Sequence, residues 1–445
     1  MRNSEHTLLS ELLICIQKPS RNGASLARML KRIAEHEIKE GGPYAATAGG
    51  SDADPGLNLA IAVFLGKNGV RLEKLDAFMD ERTSEGVPSS DLLGEKELTR
   101  LMRQDAKLRK GIQGSERKVN HTKAEKEVLD AVRRALKDRL KHLPRDFTDN
   151  AQAVVERTIR RNTDKQMSLM PLYIREALGK DGKRFSNEQL AELGLANVFF
   201  WTAFIIYDDF WDEDEAAEPK LLPIANLFAR HYVRFFENVQ DFSNFFHKLM
   251  DMLDAANEWE MLWCRLVREG DRILIPDELP DYGDFIIKFH PAAGHVLGPV
   301  AMFGELGYGI ESEEVNALIE YFRQYLVAMQ LNDDAHDWKE DIARGHISTA
   351  VALLLAVWKD EHPEQREVDL GKDMPELEQL FWFKVLQLLC ESVLACTERS
   401  RTALYSLHFL ENTVPLEQFI TENERIARKA LDEQKRSVEF LEALA

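Results

Sequence analysis

Two stretches of the chain decide the expected fold: LGLANVFFWTAFIIYDDFWD at 193–212 and YFRQYLVAMQLNDDAHDWKED at 321–341. Each is an apolar run that ends in a burst of carboxylates. From about residue 122 onward, apolar residues recur at the i, i+3, i+4 and i+7 spacing of amphipathic helices, and strand-like alternation is scarce. The pattern predicts an all-α protein with long helices around one core. The run at 193–207 is shorter than the roughly 20 residues of a membrane span, so we expect a buried core helix.

Composition narrows the function classes. The chain has 445 residues, a net charge of −19, 44% hydrophobic and 30% charged residues. That balance excludes a fully disordered protein, and the acidic charge argues against a general nucleic-acid binder. Four scattered cysteines without a CxxC pair argue against a disulfide framework or a structural zinc site, and fit a reducing compartment. The first residues lack the apolar stretch of a signal peptide, so we expect a cytoplasmic protein without stable membrane insertion.

The chain divides into three expected parts. Residues 1–85 combine helical segments with a Gly-rich loop at 41–56, and we interpret them as a non-catalytic helical cap or remnant. Residues 86–121 are polar and rich in charge, as expected for a linker. Residues 122–445 carry the continuous helical pattern and both acidic clusters, so the chemistry is expected there.

The acidic clusters are the candidate metal site. A helix C-terminus carries partial negative charge, so carboxylates at that end are disfavoured unless cations neutralise them. A solvated helix end is the alternative interpretation, but two such clusters about 125 residues apart resemble two walls of one cavity. Oxygen ligands suit Mg²⁺, with Mn²⁺ possible. The expected metal ligands are Asp208, Asp209, Asp212, Asn332, Asp333, Asp334, Asp337 and Glu340.

Cations and aromatic residues extend the prediction to a substrate. Carboxylates do not bind an anion directly, but Mg²⁺ ions held by them clamp a diphosphate, and Lys or Arg stabilises its departing charge. An apolar interior shelters a hydrocarbon tail and stabilises a carbocation by cation–π contact, although aromatic residues at such positions are also ordinary core. Phe204 lies one helical turn before Asp208, and we expect its side chain to form part of the floor of the cavity that holds the hydrocarbon tail. The expected substrate contacts are Lys183, Arg184, Lys288, Gln330, Arg344 and Phe204.

Taken together, these residues resemble class I isoprenoid synthases, and most closely the trans-polyprenyl diphosphate synthases. DDFWD at 208–212 matches a first DDxxD motif, QLNDDAHD at 330–337 matches a second, and LYIREALGKDGKRF at 172–185 is similar to the segment that precedes the first. The resemblance implies an orthogonal helical bundle, three Mg²⁺ ions, an allylic prenyl diphosphate substrate and commonly a homodimer. It gives Asp208, Asp209, Asp212 and Asp333 the catalytic metal-binding roles. It also implies that Lys183 and Arg184 bind the diphosphate of the homoallylic co-substrate.

Two departures from that family keep a second function open, and the N-terminal part carries a separate resemblance. The Arg pair expected after the first motif is missing. Asn332, His336 and Glu340 have the spacing of a terpene-cyclase metal motif, and QLNDDAHDWKEDIARG is also similar to a stretch of squalene and phytoene synthases. GGPYA in the N-terminal part resembles a terminal repeat of the squalene-cyclase group. We therefore expect a prenyltransferase that couples an allylic diphosphate to isopentenyl diphosphate, with a terpene synthase acting on one prenyl diphosphate as the alternative and a non-enzymatic scaffold as a third hypothesis.

Overall fold

The computed structural model describes residues 121–161, 165–211, 217–236 and 242–444. The expected cap at 1–85 lies outside the described residues, as does the expected linker at 86–121 apart from its last residue. Contacts divide the chain into two units, and the larger comprises Arg117–Glu367 and Leu386–Arg428. All residues of the candidate site lie in this larger unit.

The larger unit is built from helices, with one short hairpin. Its helices are α1 Lys123–Leu140, α2 Arg145–Arg161, α3 Gln166–Ala177, α4 Asn187–Trp211, α5 Leu222–Phe236, α6 Ser243–Trp263, α7 Ile286–Phe289, α8 Gly294–Glu305, α9 Glu313–Arg344, α10 Thr349–Glu361, α12 Leu386–Ser406 and the first part of α13 Val414–Leu444. The hairpin strands are β1 Val267–Glu269 and β2 Arg272–Leu274, paired antiparallel.

The described residues of the smaller unit are 368–385 and 429–444. They include most of β3 Glu367–Asp369, α11 Leu370–Leu380, the π-helical segment Phe381–Val385 and the last part of α13. The side-chain amide of Gln434 donates to the carbonyl of Trp382 within this unit.

Helix α4 is the centre of the larger unit. It packs against α1, α2, α3, α5 and α8. A helix that is apolar on all sides must be buried on all sides, and Leu195, Phe199 and Phe200 are fully buried here. The prediction of a buried core helix at 193–207 is confirmed. By length and composition alone α4 and the stretch 370–406 could cross a membrane, but 67% of the apolar window of α4 is buried inside the protein.

Three helix ends converge, and this convergence builds the site. Helix α9 ends at Gly345, whose φ of 81° is the left-handed conformation of a helix C-cap. The chain after α9 then pairs with the chain after α6, because Leu266 donates to the Gly345 carbonyl at 2.7 Å and Ile347 donates to the Cys264 carbonyl at 2.8 Å. The guanidinium of Arg265 donates to the Trp211 carbonyl at 2.8 Å, which joins the end of α4 to the same point.

The expectation of an all-α chain is confirmed. The described structure is 79% helical with almost no strand. The strands that do form are three residues long, and each of β2 and β3 buries a single residue, Ile273 and Val368.

Candidate active site

A cavity of about 260 Å³ opens where the ends of α4, α6 and α9 converge. One wall comes from α4 and the other from α9, while α6, α7 and the segment after α9 close the sides. The charged groups that line it are Asp208, Glu260, Lys288, Asp333, Asp334, Asp337, Asp341 and His346. The two sequence clusters therefore meet across one cavity.

The α4 wall combines a carboxylate with an apolar floor. Asp208 lies in the last turn of α4, with Phe204 and Ile205 one turn below it and Trp201 two turns below, and all four line the cavity. Side chains three, four and seven residues apart share a helix face. The expected position of Phe204 below Asp208 is thus observed, and Phe204 packs against Phe200 with ring centroids 4.5 Å apart.

The α9 wall is a stripe of carboxylates. Asp333, Asp337 and Asp341 recur every four residues and all line the cavity, together with Gln330. Burial by the surrounding walls, followed by the charges of Asp337 and Asp334, raises the pKa of Asp333 to about 6. Burial likewise raises the pKa of Asp337. Asp333 and Asp337 are thus partly buried carboxylates with like charges close by.

Asp334 differs from its neighbours because its charge is already compensated. The Lys288 ammonium lies 3.2 Å from one carboxylate oxygen and 3.1 Å from the other, and the backbone N–H of Thr349 donates to the second at 3.0 Å. Both side chains are nearly buried, at 12% and 9% exposed. Burial alone lowers the pKa of Lys288, but the charges of Asp334 and Glu260 outweigh it and raise that pKa. Lys288 is therefore a charged, fixed group on the cavity wall.

His346 forms a second cation between two carboxylates. Its Nε2 lies 2.9 Å from Glu260, and its Nδ1 lies 3.9 Å from Asp341. Burial alone lowers the pKa of His346, yet the adjacent carboxylates of Asp341 and Glu260 raise it to about 9. Burial opposes ionisation of Glu260 as well, but the ion pair with His346 and the charge of Lys288 lower its pKa to about 2. At neutral pH the imidazole is an imidazolium.

The donor set fits a magnesium-dependent diphosphate site. In the described part of the chain, no three His, Cys, Asp or Glu side chains come close enough to hold an ion by themselves. Mg²⁺ is usually bound by one or two carboxylates together with substrate phosphates, so facing single carboxylates suit it better than an all-protein cage. Burial first, and then the charges of Asp337 and Asp334, raise the pKa of Asp333, and a divalent cation beside it would favour the ionised carboxylate. Asp208, Asp333 and Asp337 are predicted ligands that line this cavity.

Other predicted ligands are placed elsewhere. Asp212 lies outside the described residues, and Asp209 does not line the cavity. The Asn332 amide donates to the side chain and backbone carbonyl of Asn423 on α13, at 3.1 and 3.2 Å. Glu340 is 72% exposed and lies 4.0 Å from Arg344, which is itself 52% exposed, and neither lines the cavity.

The predicted cationic pair for a second diphosphate is also distant. Lys183 and Arg184 end a 3-10 turn, Asp181–Arg184, that immediately precedes α4. Asp208 lies 21 residues after Asn187, the first residue of α4, which corresponds to about 32 Å at 1.5 Å per residue. The structure therefore brings neither residue to the carboxylate cavity. Lys183 and Arg184 are held at the first end of α4 because only two residues separate their 3-10 turn from the start of this long helix.

Glu260 and Asp341 are site residues that the predicted ligand set does not include. Asp341 continues the four-residue spacing of Asp333 and Asp337, so the sequence carries a signal for its placement. Glu260 stands in the amphipathic helix α6, where a single Glu is indistinguishable from a solvated one. Only the pairing of the chain after α6 with the chain after α9 brings it to His346.

No protein-family model and no curated protein matches the chain. Solved structures do. A geranylgeranyl pyrophosphate synthetase from the archaeon Geoglobus acetivorans is 12% identical with a TM-score of 0.48, and covers 69% of this chain and 99% of its own. The farnesyl diphosphate synthase of T. brucei is 13% identical with a TM-score of 0.48, over 69% and 99%.

A geranylgeranyl pyrophosphate synthase from Lactobacillus brevis is 14% identical with a TM-score of 0.49, over 69% of this chain and 97% of its own. Other solved structures of the T. brucei synthase that the chain resembles hold bisphosphonates. At such identities and TM-scores these are likenesses only, so the function proposed for this chain rests on the geometry of its cavity.

Proposed function

We propose that the chain is a Mg²⁺-dependent isoprenoid synthase that ionises an allylic prenyl diphosphate. One observation carries the proposal: Asp208 at the end of α4 and the stripe of Asp333 and Asp337 on α9 line the same cavity, above an apolar floor. That combination of oxygen ligands and hydrocarbon walls suits a metal-bound diphosphate with an apolar tail.

Magnesium, when bound by Asp208, Asp333 and Asp337, supplies charge stabilisation to the departing diphosphate. Lys288 and His346 add fixed positive charge on the cavity wall, and their carboxylate partners Asp334 and Glu260 hold both in place before substrate arrives.

The hydrocarbon tail is expected to run down the α4 wall. Trp201, Phe204 and Ile205 present apolar surface there, which keeps water from the allylic cation. The π faces of the two aromatic rings also favour positive charge.

The fate of the cation separates two candidate functions. Coupling to isopentenyl diphosphate needs a site for a second diphosphate, and its predicted residues, Lys183 and Arg184, lie about 32 Å from Asp208 along α4. This separation favours the alternative, a terpene synthase that cyclises or hydrolyses a single prenyl diphosphate. A non-enzymatic scaffold is the least favoured hypothesis, since surface charge alone does not explain a buried Lys288–Asp334 pair beside the carboxylate stripe.

Product analysis decides between these functions. The protein is incubated with Mg²⁺ and prenyl diphosphates of one to four isoprene units, with and without isopentenyl diphosphate, and products are analysed by mass. A terpene synthase gives the same product in both conditions, whereas a coupling enzyme gives longer diphosphates only with isopentenyl diphosphate. Absence of turnover with every substrate would favour the scaffold. A homodimer and a cytoplasmic location stay predictions, and size-exclusion chromatography with light scattering tests the first.

A further inference from the structure

A second cavity lies at the opposite end of helices α4 and α8. It has a volume of about 680 Å³, larger than the carboxylate cavity and within the range of small-molecule sites. Glu192 on its wall and Asp208 on the first cavity are 16 residues apart on α4, or about 24 Å. The two cavities share helix α4 but no lining residue.

Aromatic side chains form much of its surface. Phe185, Phe235, Phe236, Phe242 and Tyr308 line it. Three of these phenylalanines, at 185, 236 and 242, are no more than 4% exposed, so the walls are held by the core rather than loosely folded over the surface. A firm aromatic wall around a space of this size favours an apolar ligand body.

Glycines keep one wall open. Gly304, Gly307 and Gly309 all line the cavity, and a Cβ atom added at any of them would meet no atom within 4 Å. Gly307 has a φ of 97°, a backbone conformation that favours glycine, so the backbone explains why a glycine stands at this position. Gly304 lies in the last turn of α8 without a positive φ, so the backbone does not demand a glycine there. The absent side chain leaves room inside the cavity.

The polar groups of the lining are mostly acidic. Glu188, Glu192 and Glu305 line the cavity, and within the described residues Glu188 and Glu305 form no ion pair. Glu192 pairs with Arg139, whose guanidinium also lies 4.0 Å from the centre of the Phe235 ring. The contacts of Arg139 show what this lining offers to a hydrogen-bond donor, which is a carboxylate together with an aromatic face.

We propose that this second cavity binds an apolar molecule whose head group donates hydrogen bonds, a hydroxyl or an ammonium. The aromatic walls take the body, and the carboxylates of Glu188 and Glu305 accept from the head. An anionic head group, such as a phosphate, is disfavoured by the same carboxylates. The ligand class is therefore neutral or cationic, unlike the anionic diphosphate proposed for the first cavity, and the inference holds whether or not that first cavity is catalytic.

Three ligands that share one apolar chain and differ in their head group test the charge preference on the unaltered full chain. Decylamine, decan-1-ol and decyl phosphate, below their micelle concentrations, are titrated by calorimetry. We expect the amine and the alcohol to bind, and the phosphate to bind at least about tenfold more weakly. Molar salt should remove the advantage of the amine over the alcohol, since it screens the carboxylates. Tightest binding by decyl phosphate, or no binding by any of the three, overturns the proposal.

A matched pair of variants locates the binding. Gly304→Phe places a ring into the open cavity, while Gly304→Ala adds only a methyl group that fits. We expect Gly304→Phe to weaken decan-1-ol binding by at least about tenfold and Gly304→Ala to leave it within about twofold. Circular dichroism confirms that both fold. Undiminished binding in a folded Gly304→Phe protein places the ligand elsewhere and overturns the proposal. Neither assay requires turnover, so a failure here is distinct from a failure of the proposed isoprenoid chemistry.

Discussion

Replacement of Lys288 by Met should destabilise the fold far more than a loss of one surface charge. The Met side chain keeps the length and apolar stem of Lys288 but removes the ammonium, which lies within 3.2 Å of both Asp334 oxygens. Asp334 would then be a carboxylate only 9% exposed, with the Thr349 N–H as its remaining partner. The ammonium also lies 5.0 Å from the centre of the Tyr282 ring, and that contact is lost too.

The magnitude follows from the burial of the pair. Removal of one partner from a buried ion pair costs about 3–5 kcal/mol of the free energy of unfolding, because the other charge stays buried and uncompensated. Asp334→Asn leaves a buried ammonium and should cost a similar amount. In the double variant no charge is left buried, so its cost should be at most about 2 kcal/mol. The pairwise coupling is then about 4 kcal/mol or more.

Urea unfolding followed by circular dichroism measures all four proteins, with linear extrapolation to water. Glu364→Gln, an exposed site off the cavity, is the control for a simple loss of charge. Additive costs, with a double variant as unstable as the sum of both singles, would refute the reasoning that Lys288 and Asp334 compensate each other.

Three further predictions concern the same cavity. His346 has a pKa of about 9 against an ordinary 6.5, so its stabilising contribution is complete below pH 6.5 and is lost as pH rises through 9. In melting curves His346→Gln should flatten that decline, and an equal decline in both proteins would contradict the pairing with Glu260. Asp333→Asn should raise the melting temperature in EDTA near neutral pH but not below about pH 3.8, where this carboxyl is protonated in both the folded and the unfolded protein; a lower melting temperature near neutral pH would contradict the crowding. A folded Phe204→Ala protein should make longer or differently cyclised products by mass analysis, and an unchanged profile would leave Phe204 as packing.

Periodicity explains why most of the fold can be predicted from the sequence. The apolar run at 193–207 is buried in α4, and the four-residue spacing of Asp333 and Asp337 is enough to predict that both lie on one helix face, where they line the cavity. These inferences need only local geometry, since residues four apart on a helix share a face regardless of what packs against it.

Placement that depends on long-range packing cannot be predicted in this way. Lys183 and Arg184 match a motif in letters, yet the 3-10 turn that holds them leads directly into α4 and leaves them at the far end of that helix. Asn332 has the spacing of a metal ligand, but α13 lies close enough for Asn423 to accept hydrogen bonds from the Asn332 side-chain amide. Glu260 is brought to the site by a two-segment backbone pairing that no periodic signal indicates.

Diphosphate release tests the central claim most directly. The full chain is incubated with Mg²⁺ and an allylic prenyl diphosphate, and released diphosphate is quantified for the wild type, Asp208→Asn, Asp333→Asn and the exposed control Glu364→Gln. The account predicts Mg²⁺-dependent release by the wild type and the control, and a loss of ~10²–10³-fold in each aspartate variant with the helical fold retained, because each removes a preorganised charge-stabilising group from one wall of the same cavity. Release at the wild-type rate by folded Asp208→Asn and Asp333→Asn proteins would contradict it.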